Sequence, residues 1–110
     1  MATNLSEIIQ TEKVEMDPHL CYQWQNIKDI VRYNYKITES TVTPAIARKY
    51  RGDLVGLFRY EFNIDNRFIY IHAICNGFDG LTDYNGKKTT FTIYDQPRLD
   101  KYYKKFTKDY

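Results

Sequence analysis

The sequence predicts an α+β fold: an antiparallel sheet of four to five strands with an N-terminal helix, a short helix before a central hairpin and a C-terminal helix. Three observations point there. Apolar and polar side chains alternate along residues 54 to 64, and an apolar run follows at 68 to 75. Asn85-Gly86 stands between two strand-like arms. Asp17-Pro18, Thr43-Pro44 and Asp95-Gln96-Pro97 each place a capping side chain just ahead of a proline, which marks helix starts. Short turns between strands demand antiparallel pairing, and a small, strongly curled β-barrel is the alternative closure of the same strands.

Residues 1–16 carry Leu5, Ile8, Ile9 and Val14, with Ser6 available as a cap. That suffices for one helical turn or an extended arm, so 1–16 is read as an N-terminal arm and 17–110 as a single domain. Asp17-Pro18 opens the first helix, which carries Leu20, Trp24, Ile27 and Val31 on one face. From Val31 the spacing turns to alternation, Val31, Tyr33, Tyr35 and Ile37 against Arg32, Asn34 and Lys36, and predicts a first strand. Thr43-Pro44 starts a short helix to Tyr50, which Gly52 ends through a left-handed backbone.

Leu54, Gly56, Phe58, Tyr60, Phe62 and Ile64 then share a face opposite Val55, Leu57, Arg59, Glu61 and Asn63. A turn over Ile64 to Arg67 leads back along Phe68 to Cys75, apolar on both faces as a mid-sheet strand is. After the turn-rich Asn76 to Gly80, Leu81 to Tyr84 and Lys87 to Tyr94 predict a second hairpin. The final helix puts Leu99, Tyr102, Tyr103 and Phe106 on one stripe, with lysines opposite.

The chain of 110 residues is 43% hydrophobic and 27% charged, the balance of a folded globular domain. No window approaches the roughly 18 uninterrupted apolar residues of a membrane span. The start lacks the basic and then apolar regions of an export signal, so the expected location is the cytoplasm or a virus particle assembled there. Cys21 and Cys75 are then reduced thiols behaving as small apolar side chains.

Net charge is only +2, but it is unevenly spread. Glu7, Glu12, Glu15, Asp17 and Asp29 outnumber Lys13 and Lys28 at the start, while Arg98, Lys101, Lys104, Lys105 and Lys108 outnumber Asp100 and Asp109 at the end. The two ends suit pairing within one chain or between copies. Eleven tyrosines supply stiff amphipathic contact area suited to interfaces, unless coding bias put them there.

His19, Cys21, His72 and Cys75 are the residue types zinc uses, yet two-residue spacing on a helix and three-residue spacing on a strand point each pair apart. Nothing in the sequence marks a helix N-terminus or cation that would activate either thiol, and no catalytic or phosphate-loop motif occurs. Asp79, Asp83 and Asn85 resemble a calcium loop only until position 92, where Thr replaces the bidentate acid. Arg51-Gly52-Asp53 reads as helix termination followed by strand entry. No enzyme, cofactor or metal is expected on this reading.

Binding surfaces remain. Arg48, Lys49, Arg51, Arg59, Arg67, Lys101, Lys104, Lys105 and Lys108 interleave with Tyr50, Tyr60, Phe68, Tyr102 and Tyr103, so that bases would stack on rings while cations track phosphates. The leading expectation is a non-catalytic structural or assembly protein, a virus or bacteriophage particle component contacting other protein subunits as a homo- or hetero-oligomer. The alternative is a nucleic-acid-binding module using the basic aromatic surface. A third is a small enzyme or ligand-binding domain with a pocket near His72.

Overall fold

A computed structural model describes residues 17–108, so the expected arm at 1–16 lies outside the described residues. The order is α1 (Pro18–Asn26), α2 (Lys28–Asn34), β1 (Lys36–Thr41), α3 (Pro44–Lys49) and α4 (Leu54–Gly56), which runs into a π-helical turn (Leu57–Glu61). A 3-10 turn (Asn66–Phe68), α5 (Ile69–Cys75), β2 (Thr90–Tyr94) and α6 (Gln96–Phe106) complete it. The α+β class holds; the four-to-five-stranded sheet does not, and neither does the barrel. Among the described residues the sheet is a two-stranded antiparallel ribbon, β1 against β2, running from Lys36 opposite Tyr94 to Thr41 opposite Thr90.

The three helix starts with a nearby proline are where the sequence places them. Asp17 accepts from the His19 and Leu20 amides, Thr43 from Ile46 at 3.2 Å, and Asp95 from Arg98 at 3.2 Å. Gly52 is left-handed at φ 77° and its N–H donates to the Tyr84 carbonyl at 2.7 Å. It leads into a helix, not a strand.

The central hairpin is overturned, because residues 54–75 are mainly helical. Two aspartates that no proline advertises start these helices: Asp53 accepts from the Gly56 amide at 2.9 Å, and Asp65 from Arg67 at 3.0 Å. Leu54, Leu57 and Phe58, spaced three and four apart, are fully buried, so the helical reading of the run beats its alternation. Between the two segments the Ile64 N–H donates to the Phe58 carbonyl at 3.0 Å, and Asn63 takes a left-handed φ of 56°. In α5 nearly every side chain is covered, the pattern of a helix inside the core, which on sequence alone equals a buried strand.

The second expected hairpin also fails. Gly86 has the positive φ, 81°, that the turn requires, but β2 pairs with β1, and Leu81 to Tyr84 form no strand. Similarly, α2 continues to Asn34, so the strand starts at Lys36 and not near Val31.

Helix α5 does the work of a third strand. His72 and Asn76, one turn apart, face the outer edge of β2. The Tyr94 N–H donates to His72 Nε2 at 3.0 Å. The Thr92 N–H donates to Asn76 Oδ1 at 2.8 Å, and Asn76 Nδ2 donates to the Thr92 carbonyl at 3.0 Å. Four helical residues rise about 6 Å and two strand residues about 6.6 Å, so the two repeats match. β2 is thereby closed on both sides, whereas the outer edge of β1 has no strand partner among the described residues and its side chains are mostly exposed. The core beneath holds Trp24, Phe58, Phe68, Tyr84, Phe91 and Leu99, with edge-to-face contacts such as Phe58–Phe91 at 5.7 Å.

Candidate functional site

Helix α6 has two polar flanks of opposite character. On the first, Asp100 collects cations: its Oδ1 accepts from Arg67 Nη1 at 2.8 Å and its Oδ2 lies 3.1 Å from Lys104 Nζ. Arg67 also donates from Nε to Asp65 at 2.9 Å, and its guanidinium lies over Phe68 and Tyr103, 4.8 and 5.5 Å from the ring centres. Burial opposes ionisation of Asp65, but the hydrogen bonds from Arg67 prevail and hold its carboxyl below the usual range. Arg59 bonds Asn66. Three expected site residues, Arg67, Tyr103 and Lys104, are therefore parts of the structure's own wiring.

On the second flank, Arg98, Lys101, Tyr102 and Lys105 recur at positions i, i+3, i+4 and i+7 and share a face. With Tyr35, just past the end of α2, they line a groove of about 540 Å³. The Tyr35 carbonyl accepts from the Asp95 N–H at 2.8 Å, which fixes it at the start of α6. The two rings lie 6.0 Å apart at 42°, and the Tyr35 hydroxyl donates to that of Tyr102 at 3.3 Å. That bond, together with burial, raises the Tyr35 pKa, so its hydroxyl stays protonated. The Arg98 guanidinium lies 5.5 Å from the Tyr35 ring centre and 3.5 Å from Asp95. Lys101 and Lys105 form no ion pair among the described residues, and no carboxylate lines the groove.

The remaining expected cations fall elsewhere. Arg48 and Arg51 line a smaller groove of about 370 Å³ with Asn85, Gly86 and Lys87, while Lys49 sits 5.3 Å from the Tyr50 ring. Lys108 is exposed beyond the end of α6. A larger hollow of about 710 Å³, lined by Arg59, Tyr60, Asn63, Ile64, Asp65, Asn66 and Gln96, includes a carboxylate. Its polar groups bond one another: Gln96 accepts from the Asp65 amide at 3.0 Å and donates to the Asn63 carbonyl at 3.3 Å. It staples the 62–68 loop to α6.

The other sequence-derived candidates resolve into structure. His72 is fully buried; Nε2 accepts from Tyr94, so Nδ1 carries the proton and donates to the Phe68 carbonyl at 2.8 Å. Burial lowers its pKa to about 4. Burial raises the Cys75 thiol to about 12 and that of Cys21 above its ordinary value, opposite to the activation a nucleophile needs. No group of three or more His, Cys, Asp or Glu among the described residues is placed to hold a metal ion. Asn85 Oδ1 accepts from the Lys87 amide at 2.9 Å, as turn chemistry requires. No helix among the described residues is long and apolar enough to cross a membrane.

Sequence reasoning named Lys101, Tyr102 and Lys105 but missed Arg98 and Tyr35. Arg98 was legible, since it stands three residues before Lys101 on the same helical face. Tyr35 was hidden by its assignment to a strand. No protein-family model, curated protein or solved structure matches the chain.

Proposed function

We propose that this protein binds single-stranded nucleic acid in the groove formed by Tyr35, Arg98, Lys101, Tyr102 and Lys105. The observation that carries this reading is two unpaired lysines, Lys101 and Lys105, beside two tyrosine rings, with Arg98 as a third cation 3.5 Å from Asp95 and no carboxylate among the described residues of the lining. Rings offer stacking platforms to unpaired bases and the cations offer contacts to phosphates.

The low overall charge does not oppose it. Of the 16 cationic residues only Lys13 lies outside 17–108, whereas Glu7, Glu12, Glu15 and Asp109 are among the 14 acids, so the described part holds fifteen cations against ten acids. Several of those acids are spent as helix caps or on Arg67: Asp17, Asp53, Asp65, Asp95 and Asp100.

Fluorescence polarisation with labelled oligothymidylate and oligouridylate tests the proposal. Binding is expected at 50 mM salt, with affinity falling log-linearly as salt rises, and K101E/K105E should abolish it while the circular dichroism spectrum stays unchanged. Failure of the wild-type protein to bind either polymer at low salt would sink the reading.

A second reading, assembly with other protein subunits in the cytoplasm or in a virus particle built there, draws on one observation. Ile30, Tyr33 and Ile37 are 44%, 79% and 61% exposed within eight residues of chain, on α2 and at the start of β1. It predicts a native mass above that of one 13.2 kDa chain, reduced by Tyr33→Glu. The two surfaces do not share a residue.

A further inference from the structure

A second basic groove occupies the other end of the ribbon. Tyr35 and Arg98 flank the end where Lys36 pairs with Tyr94; α3 and Lys87 flank the end where Thr41 pairs with Thr90. There, Gly86 is what lets the turn seat on the helix. A side chain at this position would meet the Ala47 carbonyl and the Arg51 Cβ at 3.3 Å and the Arg48 Cα at 3.4 Å, and its φ of 81° suits glycine. The close approach carries Lys87 up to Arg48 and Arg51, so residues distant in sequence form one groove of about 370 Å³.

Its lining is three cations, Asn85 and Gly86, with no carboxylate and no aromatic ring. No ion pair among the described residues engages Arg48, Arg51 or Lys87. Cations gathered without counter-charge repel one another, and the arrangement suits an anion supplied from outside. Without a ring to stack on, the groove is fitted for phosphate and not for a base.

We infer that Arg48, Arg51 and Lys87 form a second phosphate-binding site for the same single strand, which crosses the ribbon from the Tyr35–Tyr102 groove. This rests on the function proposed above. β1 has six residues, so the two grooves are separated by about 17 Å or more of strand. That separation exceeds one nucleotide and agrees with site sizes of about 4–16 nucleotides for single-strand binders. One face of the intervening ribbon offers exposed Thr41 and Thr90, and the one acid on β1, Glu39, lies 3.5 Å from Lys36. The tyrosine groove anchors a base and the arginine groove holds the backbone downstream, so affinity grows with length until both are filled.

The test compares R51E/K87E with K101E/K105E on labelled oligothymidylates of 2 and 12 nucleotides, with circular dichroism confirming that each variant is folded. R51E/K87E should bind the 2-mer as the wild type does but lose tenfold or more on the 12-mer. Removing two phosphate contacts should also reduce the magnitude of its salt slope on the 12-mer by about 1.4. Should R51E/K87E bind the 12-mer with wild-type affinity and slope, the second site is refuted while the first groove stands. If the wild type binds neither length, the proposed function itself fails, and this inference with it. R51K/K87R, which keeps the charges, should restore 12-mer binding; loss there as severe as in R51E/K87E would also overturn the inference.

Discussion

The inner and outer sides of this molecule use the same polar alphabet to different ends. Facing inward, polar side chains are answered with the exception of the Trp24 indole N–H: His72 and Asn76 complete the edge of β2, and Arg67 lies between Asp65 and Asp100 with rings beneath it. Facing outward, Lys101, Lys105, Arg48, Arg51 and Lys87 line grooves with no carboxylate among their described lining residues. The difference teaches how to read a basic aromatic surface. A cation beside a ring signals binding only where no acid of the same chain has already claimed it; Arg67 and Lys104 fail this condition, as does Arg98 at 3.5 Å from Asp95, which leaves Lys101 and Lys105 as the unclaimed cations of the tyrosine groove. The comparison predicts that inward substitutions change stability without changing oligonucleotide affinity, and that outward ones do the reverse.

The largest inward effect should come from His72. Its pKa is about 4 when folded, against an ordinary 6.5, so above pH 6.5 the imidazole is neutral in both states and its stabilisation is complete. As pH falls from 6.5 to 4 the unfolded chain takes up a proton that the folded chain refuses, and stability declines by up to about 3 kcal/mol. Urea melts at pH 7.5 and pH 4.5 measure the drop, and His72→Gln should remove most of this pH dependence. The lowered Asp65 carboxyl acts with the same sign, the unfolded chain taking up its proton first, but only as pH falls through and below the ordinary carboxylate range, so it does not account for a drop in this window. A flat profile between pH 7.5 and 4.5 would mean that His72 is not sealed as the inner side requires.

Next comes Arg67→Ala. Its ion pairs are partly exposed and worth little after solvent screening, so most of the loss is ring contact, and about 1–2 kcal/mol is expected. Thermal melting should shift down by several degrees while the salt slope for the 12-mer stays at its wild-type value. A reduced slope with unchanged Tm would place Arg67 on the binding side and break the comparison.

How much of this could be read beforehand depended on which residues advertise themselves. Asp17, Thr43 and Asp95 stand close to a proline, and the helices they start were legible. Asp53 and Asp65 cap helices as well, but without that neighbour, and the runs behind them fit strand and helix equally. The Asn85-Gly86 turn was legible too; its partner was not, because β2 pairs with a strand about fifty positions earlier and local pattern carries no information about that choice. Of the candidate groove, the α6 half was visible as helical spacing. Tyr35 joins it only through the fold, by the hydrogen bond between its carbonyl and Asp95.

The smallest expected effect makes the sharpest distinction on the outer side. Tyr102 offers the groove both a ring and a hydroxyl, and the hydroxyl's bond from Tyr35 is long, 3.3 Å, at a position open to water. Tyr102→Phe keeps the ring, and the freed Tyr35 hydroxyl can turn to solvent, so stability should change by no more than a few tenths of a kcal/mol. If the groove grips bases by stacking, Tyr102→Phe should bind within about twofold of wild type, whereas Tyr102→Ala should lose about 1–3 kcal/mol of binding free energy. Equal losses in the two variants, measured by fluorescence polarisation on the same oligonucleotide, would assign the contact to the hydroxyl. The groove would then recognise sugar or phosphate, and the aromatic half of the outer surface would have no part in reading bases.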